Sequence, residues 1–85
     1  MENFFFVYVL VLNNNKFYIG YTKNLKRRLE EHNRGESKYT KTKRPLDLIY
    51  FEGYLNLDDA KARERFLKGG SGHKYLKKQL KNFLK

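Results

Sequence analysis

Residues 4–21 read FFFVYVLVLNNNKFYIGY, and this stretch decides the fold. Its two apolar, β-branched and aromatic runs favour strands, and the asparagines between them tolerate the left-handed backbone that a hairpin turn needs. A three-residue asparagine loop predicts Tyr18 opposite Leu10 and Gly20 opposite Tyr8, whereas a two-residue loop would split the tyrosines across the sheet. Because side chains alternate along a strand, the three-residue loop places Tyr8 and Tyr18 on one face. Gly20 would leave open space over the Tyr8 ring.

The length of the chain predicts one small domain, over residues 1–85, with a single modest core. The absence of cysteine from the sequence excludes a disulfide framework and a thiolate metal site. No basic region precedes the apolar run near the N-terminus, and asparagines interrupt that run. This pattern predicts neither a secretory signal nor a membrane span, so a cytoplasmic location is expected.

The charge balance predicts a polyanionic partner. Nineteen Lys and Arg residues against nine Asp and Glu residues give a net charge of +10. In so short a chain this excess is typical of proteins that bind nucleic acid. Aromatic residues make up 16% of the sequence, which argues against a disordered basic tail, because such tails lack core-forming residues.

A helix is predicted over residues 25–33, after capping side chains at 22–24 and before a C-terminal Gly35. Its inward stripe contains two leucines and two cationic or titratable residues, Arg28 and His32. An unpaired buried arginine is costly, so Arg28 should pair with a carboxylate or face a cleft that receives an anion. The alternative is an arginine whose stem covers the core while its head reaches solvent.

Residues 34–45, RGESKYTKTKRP, carry five positive charges against one negative charge and no apolar periodicity. The segment is predicted to be a basic surface loop, where a phosphate backbone could be held by Coulombic attraction, or where the charge is simply solvated. Residues 46–54 are predicted to form a third strand.

A second helix is predicted to open at Asn56, with Asp59 completing a capping pattern, and to run to about Lys68. On its apolar stripe Glu64 is the one charged residue. Pairing between Glu64 and Arg28 would satisfy both as a structural ion pair. Residues 69–72, GGSG, are predicted to form a tight connection that breaks the helix.

The last predicted element is a basic amphipathic helix over His73–Lys85. Leu76, Leu80 and Phe83 fall on one face, which would pack onto the sheet with lysines outward. A basic amphipathic helix could also suit a membrane surface or a calmodulin-like partner, but packing is the simpler interpretation. The elements therefore follow in the order β-β-α-β-α-α.

Three motifs in this order resemble the GIY-YIG nuclease superfamily: FVY at 6–8, YIG at 18–20, and NLKRRLEEH at 24–32. The likeness is to its small stand-alone bacterial members and, more distantly, to the N-terminal nuclease domain of the repair protein UvrC. The second motif matches letter for letter, and Arg28 and His32 match the Arg-x-x-x-His spacing. The first motif differs from the family pattern, because Phe6 and Val7 replace its Gly and Ile.

The resemblance implies an α/β (α+β) fold, in which helices flank a small three-stranded antiparallel sheet. It also implies a metal-dependent endonuclease that hydrolyses DNA phosphodiester bonds in repair or processing, with one Mg²⁺ or Mn²⁺ ion. By resemblance, Glu64 would bind the metal and Arg28 would grip the scissile phosphate. Tyr8 would activate the water with His32 accepting its proton, and Tyr18 would orient phosphate or water.

The expected partner is duplex or branched DNA, and no interaction with a membrane is expected. The chain is too short for a second DNA-reading domain, so specificity would be low or supplied by a protein partner. The predicted nucleic-acid-binding residues come from the basic loop and the last helix: Lys38, Lys41, Lys43, Arg44, Lys74, Lys77 and Lys78.

Two other functions fit the sequence. One is a nucleic-acid-binding module that kept the fold without turnover, since many catalytic relatives carry a late asparagine and Asn82 lies beyond its expected place. The other is a structural domain in which Arg28 and Glu64 are a buried pair. The nuclease hypothesis predicts that five residues converge on one cleft with their polar ends open to solvent: Tyr8, Tyr18, Arg28, His32 and Glu64.

Overall fold

The structure is a computed structural model, and it describes residues 3–85. The elements are β1 (Phe5–Val11), β2 (Phe17–Thr22), α1 (Leu25–Asn33), β3 (Asp47–Tyr54), α2 (Leu57–Lys68), α3 (Gly70–Gln79) and α4 (Lys81–Leu84). The strands form one antiparallel sheet in the order β2-β1-β3. The predicted α+β class and the order β-β-α-β-α-α are confirmed, with α4 as a short addition. Within residues 3–85, no helix has the length and apolar composition needed to cross a bilayer.

The hairpin has the predicted register. Tyr8 pairs with Gly20 and Leu10 pairs with Tyr18, so Tyr8 and Tyr18 lie on the same face of the sheet. Asn15 adopts the left-handed backbone that the turn requires, with φ of 66°. The space at Gly20 is not open, however. A Cβ there would lie 2.4 Å from the Tyr8 hydroxyl oxygen, because that hydroxyl occupies the position.

The hydrophobic core lies on the opposite face of the sheet. Side chains from β1, β2 and two helices form it: Val7, Val9, Ile19, Ala60, Leu67 and Leu76. Removing these aliphatic groups from water is the main favourable contribution to folding. The face that carries Tyr8 and Tyr18 is packed instead against His32 of α1.

Both predicted helix starts are confirmed. The Asn24 side chain accepts a hydrogen bond from the Arg27 backbone N–H at 3.0 Å, and α1 begins at the next residue. The Asn56 side chain accepts from the backbone N–H groups of Asp58 and Asp59, and α2 follows. These caps satisfy backbone donors that have no partner inside the helix.

The predictions for the C-terminal segment, a connection at 69–72 and one helix over 73–85, are wrong at its start and at its end. Residues 70–72 are not a connection but the first turn of α3, which ends at Gln79. A Cβ on Gly72 would lie 2.0 Å from the Phe66 carbonyl oxygen, so the glycine allows α3 to start directly against the last turn of α2. Phe83 lies in α4 and is 64% exposed rather than packed on the sheet.

Candidate active site

A chain of three buried polar side chains connects the hairpin, α1 and the loop that follows α1. The Tyr8 hydroxyl lies 3.0 Å from His32 Nε2, and His32 Nδ1 lies 2.7 Å from Thr40 Oγ1. Tyr8 and His32 are each 1% exposed and Thr40 is 0% exposed. Buried polar groups of this kind require partners, and here each one finds its partner in the chain.

The protonation states follow from the surroundings of the two titratable groups. Burial raises the pKa of Tyr8 to about 12, although Arg28 opposes the rise, so the phenol keeps its proton at neutral pH. Burial, and then the positive charge of Arg28, lower the pKa of His32, so the imidazole is neutral. Two tautomers of the neutral imidazole satisfy both bonds. We assign the one in which the Tyr8 hydroxyl donates to Nε2 and Nδ1–H donates to Thr40 Oγ1; the other tautomer would reverse both directions.

Two further aromatic rings pack around this chain. The Tyr18 ring makes an edge contact with His32 at a centroid distance of 5.2 Å and stacks on Tyr39 at 5.7 Å. The Lys43 ammonium lies 4.6 Å from the centroid of the Tyr39 ring. Tyr39 is 58% exposed, so the stack connects the buried site with the surface.

Arg28 lies beside the site and is half-buried, with 32% of its side chain exposed. Its guanidinium donates to Glu31 at 3.0 Å, and it also acts on the Tyr8 hydroxyl to hold down the pKa of that phenol. The predicted alternative of an Arg28–Glu64 ion pair is wrong. Glu64 pairs instead with Lys68, at 3.4 Å between Oε2 and Nζ.

Glu64 is the carboxylate near Tyr8 that could hold a metal ion in a sparse site. Its side chain is 14% exposed, and its negative charge is close enough to the Tyr8 hydroxyl to contribute to the raised pKa of that group. Within residues 3–85, no group of three or more acidic, histidine or cysteine side chains could enclose an ion. One carboxylate fits the chemistry of Mg²⁺, which keeps several waters and takes further oxygens from phosphate.

The predicted cleft is therefore closed to solvent at Tyr8 and His32. Tyr8, Tyr18 and His32 are in direct contact, while Arg28 and Glu64 act on Tyr8 through their charges. The expectation that all five polar ends face solvent is wrong for Tyr8 and His32, because the hydroxyl and the imidazole bind each other in the interior.

A family model described as the GIY-YIG catalytic domain matches residues 4–80. The chain belongs to the GIY-YIG family. A UPF0213 protein of Pediococcus pentosaceus is 48% identical over 80 residues, covering 89% of this chain and 84% of the relative. One of Staphylococcus aureus is 40% identical over 73 residues, covering 85% and 89%. A solution NMR structure of a UPF0213 protein from Bacillus halodurans has a TM-score of 0.57 at 30% identity, covering 94% and 84%.

The resemblance stated from the motifs is confirmed by these matches. GIY-YIG domains are nuclease domains, so membership of the family indicates an endonuclease. It leaves the metal, the substrate form and the roles of individual residues as proposals.

The basic loop of this GIY-YIG domain is less open than predicted. Lys38 and Lys41 are exposed, but Lys43 is half-buried over the Tyr39 ring. The Arg44 guanidinium donates to the backbone carbonyls of Lys41 and Asn33, each at 3.0 Å, and so ties the loop to the end of α1. The three predicted lysines of α3 are exposed: Lys74, Lys77 and Lys78.

Two features of the domain were missed in the sequence. The first is that Thr40 and Tyr39 belong to the site. In the sequence they are only a hydroxyl and an aromatic ring among the lysines of a loop, and no periodic pattern marks them as functional. The second feature is an ion pair away from the site, in which Arg63 donates two hydrogen bonds of 2.9 Å to Glu52. Tyr50 and Tyr54 also donate to Glu52, at 2.6 Å each. Because these four residues are held by one another, the cluster is structural.

Proposed function

We propose that the chain is a divalent-metal-dependent endonuclease that hydrolyses DNA phosphodiester bonds in DNA repair or processing. The observation that carries the proposal is the buried hydrogen bond of 3.0 Å between Tyr8 and His32, beside the Arg28 cation. A phenol that donates to a neutral imidazole is arranged to lose its proton to a base as it takes one from water.

The proton transfer would run along the buried chain. With a pKa of about 12, Tyr8 is not ionised at neutral pH and needs a neighbouring base to accept its proton. His32 Nε2 is that acceptor, and its neutral state keeps the lone pair available. Tyr8 is 1% exposed in this structure, so the site would have to open to let water reach its hydroxyl. As water then gives a proton to the Tyr8 oxygen, the phenolic proton would pass to Nε2 and the resulting hydroxide would attack phosphorus. The bond from phosphorus to the leaving oxygen would break as that oxygen takes a proton from solvent.

Arg28 would bind the phosphate. Its planar guanidinium offers two parallel donors to phosphate oxygens, and 32% of its side chain is accessible to a ligand. The positive charge of Arg28 disfavours the positive charge that forms on His32. It stabilises the negative charge that develops on the Tyr8 oxygen and on the oxygens bound to phosphorus. Tyr18, next to Tyr8 and His32, would orient phosphate or water.

Glu64 would hold the metal, Mg²⁺ or Mn²⁺. Lys68, its ion-pair partner, is 54% exposed and lies on a flexible stem, so the ammonium can move away as a divalent ion replaces it. A bound divalent ion would offset the charge of the phosphate in the transition state.

The substrate would be duplex or branched DNA, bound mainly through phosphates. The net charge of +10 supports this choice, and contacts to phosphate carry little sequence information. Sequence selection would then come from a protein partner or be weak.

Two observations favour a second candidate, a DNA-binding module without turnover. The carboxylate of Glu64 is occupied by Lys68, and Asn82, the late asparagine of the chain, is exposed in α4. Such a module would bind DNA and leave it intact under all metal conditions.

The deciding experiment compares the wild type with Glu64→Gln on duplex, nicked and branched DNA, with Mg²⁺, with Mn²⁺ and with a chelator. Glu30→Gln, which removes one exposed carboxylate from α1, is the matched control. We expect metal-dependent cleavage that falls at least about a hundredfold in Glu64→Gln and is unchanged in Glu30→Gln. Binding without any cleavage by the wild type would establish the second candidate, and full activity of Glu64→Gln would exclude Glu64 as the metal ligand.

A further inference from the structure

We infer that a groove along the edge of β2, lined by aromatic rings and lysines, binds an unpaired strand of DNA beside the candidate active site. The inference rests on the proposed nuclease function and deepens it, because it names the form of substrate that the site accepts. Three neighbouring cavities with shared walls form this groove, which we call the β2 groove.

The first cavity starts at the candidate active site. It has a volume of about 260 Å³, and Tyr18 and Lys68 are among its lining residues. Tyr18 contacts His32, and Lys68 is the partner of Glu64, so the cavity lies beside the proposed site and is separated from His32 and Glu64 by one side chain each.

The second and third cavities continue away from the site. Phe17, Tyr39 and His73 line the first cavity and also the second, which measures about 360 Å³. Phe17 and Lys77 line the second and also the third, which measures about 420 Å³. Each volume is near or within the range of about 300–1,000 Å³ that is typical of small-ligand pockets, so the groove has room for successive nucleotides.

The lining of the β2 groove combines the two kinds of side chain that hold single strands. Phe17, Tyr39 and His73 contribute rings to the groove. Phe17 and His73 contact each other edge to face at a centroid distance of 5.9 Å. Tyr39 is 58% exposed and stacks on Tyr18, with the Lys43 ammonium over its ring, so a base would stack on Tyr39 in place of that ammonium. Lysines accompany the rings along the groove: Lys16, Lys68, Lys77, Lys81 and Lys85. Among the described residues that line the three cavities, none is acidic. Aromatic platforms in a cationic groove bind unpaired strands with little dependence on sequence.

The rings explain why the strand is unpaired. In a duplex the faces of the bases are covered by their neighbours, so a duplex can offer the groove only phosphates, which lysines bind without help from aromatic residues. Phe17, Tyr39 and His73 gain contacts only when a base leaves the stack. The substrate that uses both the lysines and the rings is a duplex with a single-stranded extension, with its junction near Tyr18.

The experiment measures equilibrium binding by fluorescence anisotropy, without divalent metal so that no cleavage occurs. The probes are a blunt duplex, the same duplex with a single-stranded extension, and the same duplex with an extension of abasic nucleotides. Wild type is compared with Tyr39→Leu, which removes the ring but keeps an apolar side chain, and with Lys77→Gln. Lys78→Gln removes the same charge from the next residue of α3, which does not line the β2 groove.

For the wild type we expect the extension to tighten binding by about 5- to 100-fold over the blunt duplex, and the abasic extension to lose most of that gain. Tyr39→Leu and Lys77→Gln should lose most of the gain, measured for each variant as the ratio of its affinities for the extended and the blunt duplex. Lys78→Gln should keep the gain. Equal affinity for all three probes, or the same gain from the abasic extension, would overturn the inference.

The result is independent of the proposed function because binding is measured without metal. If the extension gives no gain but the wild type cleaves DNA and Glu64→Gln does not, the groove inference fails and the nuclease stands. If the extension gives the expected gain but no metal supports cleavage, the groove stands and the proposed nuclease fails.

Discussion

The Tyr8 hydroxyl and His32 Nε2 lie 3.0 Å apart, and the same hydroxyl occupies the position that a side chain at residue 20 would need. Gly20 is the hairpin partner of Tyr8 in the antiparallel pair. The register of the hairpin and the hydrogen bond of the site are therefore one feature of the structure, because only this register places a glycine opposite the tyrosine.

Replacing Gly20 by alanine should damage the site and the fold together. The new Cβ would lie 2.4 Å from the Tyr8 hydroxyl oxygen and 2.6 Å from Cζ, so the ring must move and its bond to His32 must lengthen. We expect a loss of about 1–3 kcal/mol in unfolding free energy, as for other overpacked interiors, and at least a tenfold loss of cleavage. Urea denaturation and a cleavage assay measure the two effects.

Gly70→Ala is the control for this change, because outside the helix itself no atom of residues 3–85 lies within 4 Å of the Cβ position at Gly70. Its stability should be unchanged or rise by up to about 1 kcal/mol, and its cleavage should equal that of the wild type. Wild-type cleavage by Gly20→Ala would mean that the Tyr8–His32 geometry is not needed for the reaction.

Thr40 should act by fixing the tautomer of His32. Thr40→Val keeps the shape of the side chain but leaves His32 Nδ1–H buried without an acceptor, at a cost of about 1–3 kcal/mol in stability. The proton should then move to Nε2 in part of the molecules, so that this nitrogen no longer accepts from Tyr8. We expect a loss of cleavage of about tenfold, and ¹⁵N chemical shifts of the imidazole that report a mixture of tautomers.

Thr40→Ser separates this role from packing. It removes a methyl group but keeps the hydroxyl, so it should retain the wild-type tautomer and most of the cleavage. Identical imidazole shifts in Thr40→Val and the wild type would show that Thr40 does not set the tautomer.

Much of the fold could be predicted because its signals are local. Asn24 and Asn56 satisfy backbone groups within a few residues, so each helix start is readable from the sequence. The hairpin register follows from the asparagine loop, and it places Tyr8 and Tyr18 on one face without knowledge of the rest of the chain.

The remainder depends on contacts between distant segments. Thr40 reaches His32 across eight residues and has no periodic pattern to mark it. Gly72 allows α2 and α3 to approach each other closely. In the sequence, however, a run of glycines predicts a loop more strongly than it predicts a contact between helices. Burial of the Tyr8 hydroxyl could not be predicted either, because it depends on where His32 lies after α1 has packed.

Stability should fall in mild acid because of His32. Burial and the charge of Arg28 lower its pKa below 6.5 in the folded protein, whereas the unfolded chain keeps the ordinary value. Below about pH 6.5 the unfolded state therefore binds more protons, and the unfolding free energy decreases as the pH falls, by up to about 1 kcal/mol between pH 7 and 5.5. Urea denaturation over this range measures the slope.

The variants are compared by the slope of the unfolding free energy against pH rather than by their absolute stability. His32→Gln removes the titrating group and should flatten the dependence, while His73→Gln should keep it. A steep slope that persists in His32→Gln would assign the acid sensitivity to other residues.

Duplex binding should depend on salt through the lysines of the basic loop. Changing Lys38, Lys41 and Lys43 to glutamine should reduce the slope of log K against log salt by about 2–3, the value for three phosphate contacts. Arg44 is left in place because its guanidinium holds the loop to Asn33. An equal change in α3, at Lys74, Lys77 and Lys78, is the comparison. An unchanged slope in the loop variant and a reduced slope in the α3 variant would move the duplex surface to α3.

Arg28 and Arg63 each bind a glutamate, but their removal should have opposite consequences. Arg63 and Glu52 are 23% and 15% exposed, and burial, which raises the pKa of Glu52, is outweighed by the hydrogen bonds from Arg63 and the tyrosines, which lower it. Arg63→Ala leaves this carboxylate without its cation, so we expect a loss of about 3 kcal/mol and a melting temperature lower by about 12–24 °C. Cleavage per folded molecule should remain, because Arg63 donates to Glu52 rather than to a residue of the site.

Arg28→Ala should leave the melting temperature nearly unchanged and reduce cleavage at least about a hundredfold. Its partner Glu31 is 27% exposed and can be hydrated when the guanidinium is gone, so the pair contributes at most about 1 kcal/mol. The interaction with phosphate, in contrast, is made most strongly in the transition state and has no substitute in the site. Thermal melting and cleavage measured on both variants separate the two roles. A large fall in melting temperature for Arg28→Ala, with no wild-type cleavage to lose, would make Arg28 a structural residue and overturn its assignment to the phosphate.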